Sequence, residues 1–347
     1  MKAFILKTLC LAFVVFAAFM VWALSIRAPL RAEYWVRDMI VVKKHMLNEL
    51  PSPRIIMFGG SSVMFAFDAV KMERELKVST LNFGLHAGLR LEFILNLARS
   101  QAKPGDIVLL PLEHVYYTDF YKQWTSWQLR NAIGWDDASL QALSVPQRVV
   151  VYYNAFSGDI LHDILLAKYD SFYNPVQLAP RLRTPQQAID SHYAGKRDQN
   201  FAYEYIDARG STEGAVEAKF NGPSVAWDQP DKVYPMARDL LKPFIEEMKA
   251  KGVTVYFAQP PYLIDGKTYT GYEVADAEFH KQIKELGSEV IDNRSQVCFA
   301  RDMFFDTQGH LNVRGRELRT QVVIDALRPR LKALGLPKDP PALAPLP

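Results

Sequence analysis

The order of apolar and amphipathic segments predicts an α/β protein with a parallel sheet, a large partly helical insertion and an N-terminal transmembrane helix. Three observations carry this. Ile55–Phe58, Val78–Phe83 and Ile107–Leu110 are short apolar runs, the length of buried strands, with amphipathic stretches between them. Strand, helix, strand, helix, strand in so few residues implies parallel pairing with helices on the sheet faces. Thr8 to Ile26 carries no charge and is rich in Phe, Val, Leu and Ala, with Lys2 and Lys7 before it.

That first segment is long enough to cross the hydrocarbon of a bilayer as a helix. It reads as a cleaved signal peptide, with Ala23-Leu24-Ser25 as a weak cleavage site, or as an uncleaved anchor. Its length favours the anchor. The lysines then stay in the cytoplasm, giving a single-pass protein of the inner membrane whose folded part is periplasmic. Residues 1–26 are the anchor and 27–53 a membrane-proximal helix with Trp35, Met39, Ile40 and Val41 at helical spacing, stopped by Pro51-Ser52-Pro53. Residues 54–119 form the first part of the α/β core.

From 120 to 235 the alternation stops. Trp124, Trp127, Trp135, Tyr152, Tyr153, Phe156, Phe172 and Tyr173 crowd the segment, Pro175, Pro180 and Pro185 mark loops, and 139–169 has helical character. This is expected to be a lid or subdomain over the active edge, its aromatics packing a core or stacking on sugar rings. The α/β rhythm resumes over 236–335: helices at Met236–Lys251 and Glu273–Leu286, strands at Val253–Ala258 and Val290–Asp292, and a last helix from about Gly315 to Leu327 that Pro329 should end or kink. The proline-rich 336–347 is expected to be disordered.

Composition excludes some functions. A net charge of +3 without a Lys/Arg run gives no nucleic-acid footprint. The two cysteines, Cys10 and Cys298, form no metal-binding cluster with histidine, so neither a metal nor another cofactor is expected.

In a parallel α/β sheet ligands gather beyond the carboxyl ends of the strands. Here those ends are Gly59–Ser62, Gly84–Gly88 and Pro111–Tyr117, which place Gly84, His86, Glu113 and His114 around one pocket. Two glycines after the first strand permit a tight turn at positive φ that lifts Ser61 above the sheet edge. A serine becomes a nucleophile only when a base takes its proton and a third group orients that base. Of the seven histidines, His310 has such a group nearby: Asp306 precedes it by four residues, and Asn312, a further candidate for the pocket, and Gly315 follow.

Gly59-Gly60-Ser61, Asn82-Phe83-Gly84-Leu85-His86-Ala87-Gly88 and Asp306…His310-Leu311-Asn312…Gly315 resemble, in order, three sequence blocks of the SGNH (GDSL-type) hydrolases. The resemblance covers about 54–117 and 236–330. It implies a three-layer α/β/α fold with Ser61 as nucleophile, His310 as base and Asp306 as its orienting acid. It further implies an oxyanion hole from the N–H groups of Ser61 and Gly88. The plan also resembles the membrane-anchored SGNH proteins that work beside membrane-bound O-acyltransferases in alginate acetylation and teichoic-acid D-alanylation. That likeness implies an acyltransferase or acylesterase whose substrate is a cell-surface polysaccharide, with such an O-acyltransferase as acyl donor. Three departures stand out: Gly-Gly-Ser replaces the family's Gly-Asp-Ser, the Asp-to-His spacing is one residue longer, and Glu113 stands where an oxyanion-hole asparagine is usual. Ser62 is the alternative nucleophile. Two rival functions remain, a non-catalytic SGNH-fold scaffold in a polysaccharide-modifying complex and a lipase-like esterase on membrane lipids.

Overall fold

The computed structural model describes residues 1–25, 32–119, 123–136, 140–141, 143–155, 162–163, 165–166, 169, 183–195, 205–213, 220–222, 233–264 and 272–336. Phe156, Phe172, Tyr173 and the proline-rich tail from 337 lie outside them. Two compact units emerge, one of Met1–Tyr34 with Trp124–Thr184, the other of Trp35–Gln123 with Pro185–Pro347.

In the first unit, α1 (Lys2–Ser25) is the one helix among the described residues long and apolar enough to cross a membrane, and its window Lys2–Phe19 is not buried against the protein. In the same unit, α6 (Ser126–Gly134) starts on a Thr125–Gln128 capping box. With α7 (Val145–Ala155) it encloses a small core of Leu129, Ala132, Leu140 and Val151, and Trp124 packs at its edge. Tyr153 is 75% exposed, so that aromatic ring serves no core.

The second unit holds the sheet. Strands β1 (Arg54–Gly59), β2 (Ser79–Gly84), β3 (Ile107–Leu110) and β4 (Thr254–Phe257) lie in the order β2-β1-β3-β4, all parallel. Ile55, Met57, Ile107 and Leu109 face a core shared with α3 (Ser61–Ala66), α4 (Ala69–Leu76) and α11 (Val313–Ala333). Alternate residues Ile56, Phe58, Val108 and Leu110 are fully buried on the other face, where α5 (Leu91–Gln101) and α9 (Pro235–Ala250) pack together; the unit also holds α8 (Pro185–Tyr193) and α10 (Tyr272–Glu285). Runs buried on both faces are apolar throughout, which is why these strands read so plainly in the sequence.

Several boundaries differ from expectation. The membrane-proximal helix is α2 (Tyr34–Glu49), and Val36, Met39, Val42 and Leu47 are fully buried, so it is a core element of the α/β unit. The expected 120–235 insertion does not behave as one piece. Its later part joins the α/β unit: Arg209 pairs with the buried Glu73, the Asn82 N–H donates to the Arg209 carbonyl, and Phe220 enters the core. The strand at Val290–Asp292 shrinks to a single parallel bridge between Val290 and Phe257, because Asp292 turns away to accept the Gln259 N–H and pair with Arg319. A small parallel pair, β5 (Tyr262–Ile264) with β6 (Cys298–Ala300), was not foreseen. The last helix runs through Pro329 to Ala333. Buried Leu327 and Leu331 flank that proline and hold the turn despite the roughly 3 kcal/mol cost of an interior proline.

At the amino ends of β1 and β3, Arg54 and Asp106 form an ion pair with both side chains fully buried. Asp106 also accepts the backbone N–H groups of Arg54 and Lys103, and Arg54 reaches the Leu47 and Gln101 carbonyls. Removing one partner leaves an uncompensated buried charge. Asp106→Ala is therefore expected to destabilise the α/β unit by about 3–5 kcal/mol, read as a lower denaturation midpoint; a midpoint equal to wild type would contradict this.

Candidate active site

The strand order reverses direction at β1, with β2 on one side and β3 on the other. In parallel α/β sheets ligands gather beyond the carboxyl ends of the strands beside such a reversal. Ser61 sits at that point as the first residue of α3. The Ser61 Oγ lies 2.7 Å from His310 Nε2, and His310 Nδ1 lies 2.7 Å from Asp306 Oδ1. Serine, imidazole and carboxylate thus form one continuous hydrogen-bonded chain, with His310 8% exposed and the Asp306 side chain 32% exposed.

Local pairing explains how the Asp306–His310 spacing works. Phe304 and Leu311 form an antiparallel bridge, and the Phe305 N–H donates to the His310 carbonyl. The intervening residues make a tight loop, with the His310 N–H donating to the Thr307 carbonyl, so both side chains leave it on the same side. Asn312, expected in the pocket, instead caps α11: its side chain accepts the Gly315 N–H and donates to the Asp302 carbonyl. Phe65 was missed. One turn after Ser61, its ring stacks on His310 at 4.2 Å between centroids and 12° between planes, and on Phe305 at 5.8 Å. The four-residue spacing from the serine, on one face of a helix, is the signal that could have found it.

Between Ser61 and Ser62 the geometry is decisive. Ser62 is 3% exposed, while Ser61 faces His310. Positive φ plays no part in the turn, since Gly60 adopts φ −84° and ψ −155°. The need is for space. A Cβ on Gly60 would stand 2.3 Å from Glu113 Oε1 and 2.7 Å from Ala87 Cα. Likewise a Cβ on Gly84 would lie 2.3 Å from the Met64 backbone nitrogen, where α3 crosses the end of β2. The Gly84 carbonyl accepts a hydrogen bond from Lys43, wholly buried, whose ammonium is pushed down to about 7 chiefly by burial.

The remaining expected residues divide. His86 is close enough to His310 for their charges to repel; burial first, then that repulsion, lowers it to about 4. The neutral ring accepts the Gly88 N–H at Nδ1, 2.9 Å away, so this expected oxyanion donor is engaged within its own loop. The Ser61 N–H meets no acceptor among the described residues. Glu113 turns toward the serine, with the Gly60 N–H donating to Oε2 and the Ser62 N–H to Oε1, each at 3.0 Å. Burial pushes its carboxyl above the usual range. His114 turns to the other side, its ring 4.8 Å from that of Tyr262, and does not join the serine cluster. Burial and then the Arg294 charge lower His114 to about 3. No set of three or more His, Cys, Asp or Glu among the described residues is placed to hold a metal ion.

No protein-family model matches the chain, and no curated protein matches it.

The buried, neutral His114 carries a pH signature. Its folded value near 3 lies below the ordinary 6.5, so between these pH values the unfolded chain binds more protons. Its contribution to stability is present above 6.5 and is lost as pH falls. In His114→Gln the slope of unfolding free energy against pH between about 4 and 6 should fall by about 1.4 kcal/mol per pH unit; an unchanged slope would show that the imidazole titrates normally.

Proposed function

We propose that the chain is a membrane-anchored, extracytoplasmic serine O-acyltransferase or acylesterase of the SGNH hydrolase type, acting on polysaccharide hydroxyls through an acyl-Ser61 intermediate. The observation that supports it best is the unbroken Ser61–His310–Asp306 chain, both links at 2.7 Å. Location at the carboxyl end of β1, beside the strand-order reversal, adds support. So does α1, whose length and composition suit an anchor in the inner membrane with the catalytic unit on the periplasmic side. No cofactor is required for this chemistry.

The residues divide the work as follows. Ser61 Oγ attacks the ester carbonyl carbon while His310 Nε2 takes its proton. Asp306 accepts from Nδ1–H, fixes the tautomer and stabilises the imidazolium. The negative charge of the tetrahedral intermediate falls at the Ser61 N–H, and such a donor accounts for on the order of 100-fold or more in rate. His310 then gives the proton to the departing alcohol as the C–O bond breaks, leaving acyl-Ser61. A sugar hydroxyl, or water, is deprotonated by the same nitrogen, attacks the acyl carbon and releases Ser61. A membrane-bound O-acyltransferase is the acyl donor that this arrangement suits.

A scaffold reading draws on Glu113 in the asparagine position and on the engaged Gly88 N–H. Turnover separates the two. With the full-length chain in detergent and p-nitrophenyl acetate, Ser61→Ala and His310→Ala should each lower kcat by at least about 1000-fold. Wild-type rates in both variants would leave only the scaffold.

A further inference from the structure

Glu113 occupies the place where a hydrogen-bond donor was expected, yet every contact it makes there is as an acceptor. Short helix α3 begins at Ser61, and its opening N–H groups have no partner within the helix. Gly60, at the cap position, has no side chain to supply one. Glu113 reaches in from the segment after β3 and takes two of them, the Gly60 N–H on one oxygen and the Ser62 N–H on the other. Only the middle N–H, that of Ser61, is left without an acceptor among the described residues.

We propose that Glu113 is the positioning residue of the nucleophile turn: its carboxylate clamps the amides on either side of Ser61, aims the Oγ at His310 and reserves the Ser61 N–H for an oxyanion. This rests on the serine acyl-transfer reading above. The clamp also explains the departure at Gly60. A methyl there would stand 2.3 Å from Glu113 Oε1 and 2.7 Å from the Ala87 Cα, so the Glu113 carboxylate in this place leaves no room for a side chain at position 60. The carboxylate is itself held in place, since Glu113 is 8% exposed and precedes the 3-10 turn His114–Tyr117, with the Tyr116 N–H donating to the Glu113 carbonyl. Held between two backbone amide donors, it cannot be replaced by its amide without loss: glutamine turns an NH2 toward one of the two N–H groups, a donor against a donor.

The test uses the full-length chain in detergent. Glu113→Gln should lower kcat by about 100-fold, the size expected for a displacement of the nucleophile of about 1 Å, with KM within about twofold of wild type. Glu113→Asp, which keeps the carboxylate, should recover about tenfold of that loss. Wild-type kcat in Glu113→Gln would overturn the clamp, because a neutral side chain would then serve as well. Amide hydrogen exchange on the wild-type chain reads the same geometry without turnover or substitution. Gly60 and Ser62 should be protected and Ser61 should exchange at least about tenfold faster; equal rates at all three would overturn the proposal even if the variants fail to fold. A wild-type chain with this exchange pattern but no ester turnover would refute the acyl-transfer reading and leave the clamp standing.

Discussion

Parallel pairing of β1 on both sides is the constraint on which the remaining geometry depends, because it decides where a crevice can open. With β2 and β3 as neighbours, β1 sends its chain to one side and receives the winding of the other side next to it. Opposite ends of the same strands do different work: Arg54 and Asp106 lock the amino ends with a buried ion pair, and Ser61 and Glu113 meet beyond the carboxyl ends. A one-residue slip in β1 would reverse Met57 and Phe58 between the two buried faces and carry Ser61 out of reach of both partners.

Onto this frame the chain returns 249 residues later with His310. Nothing covalent or local holds that contact. The Phe304–Leu311 bridge gives the returning loop its shape, and Phe65 gives the imidazole a flat surface to lie on. The helix that bears Ser61 thus also orients the His310 ring. Ser61 and Phe65 stand one turn apart, so movement of α3 shifts both together, which keeps their relation to His310 coordinated.

The sheet and the closeness of Asp306 to His310 were legible because each rests on local pattern. Ile55–Phe58 and Ile107–Leu110 are apolar on both faces, and Asp306 and His310 share one short segment. What escaped the reading depends on distant partners. Trp35–Glu49 carries a helical pattern whether its apolar side meets a membrane-proximal linker or the α/β core, and burial of Val36, Met39 and Val42 decides the matter. Residues 205–213 look like loop until Arg209 finds Glu73 across 136 positions. The glycines of the Gly59-Gly60 turn suggested positive φ, but the restriction at Gly60 is the presence of Glu113 and Ala87. Gly88 was expected at the oxyanion and its N–H goes to His86, a contact two residues long that depends on the ring staying neutral.

Reactivity of a single hydroxyl decides the central point. A fluorophosphonate probe reacts with a serine only when a base has raised its nucleophilicity and a donor receives the developing charge. Incubated with the full-length chain and followed by peptide mass analysis, the probe should attach to one peptide, at Ser61, and attachment should disappear in His310→Ala. A chain that stays unlabelled under conditions that label a reference serine hydrolase, or one labelled elsewhere with Ser61 untouched, would contradict the assignment of Ser61, His310 and Asp306 as an acyl-transfer site.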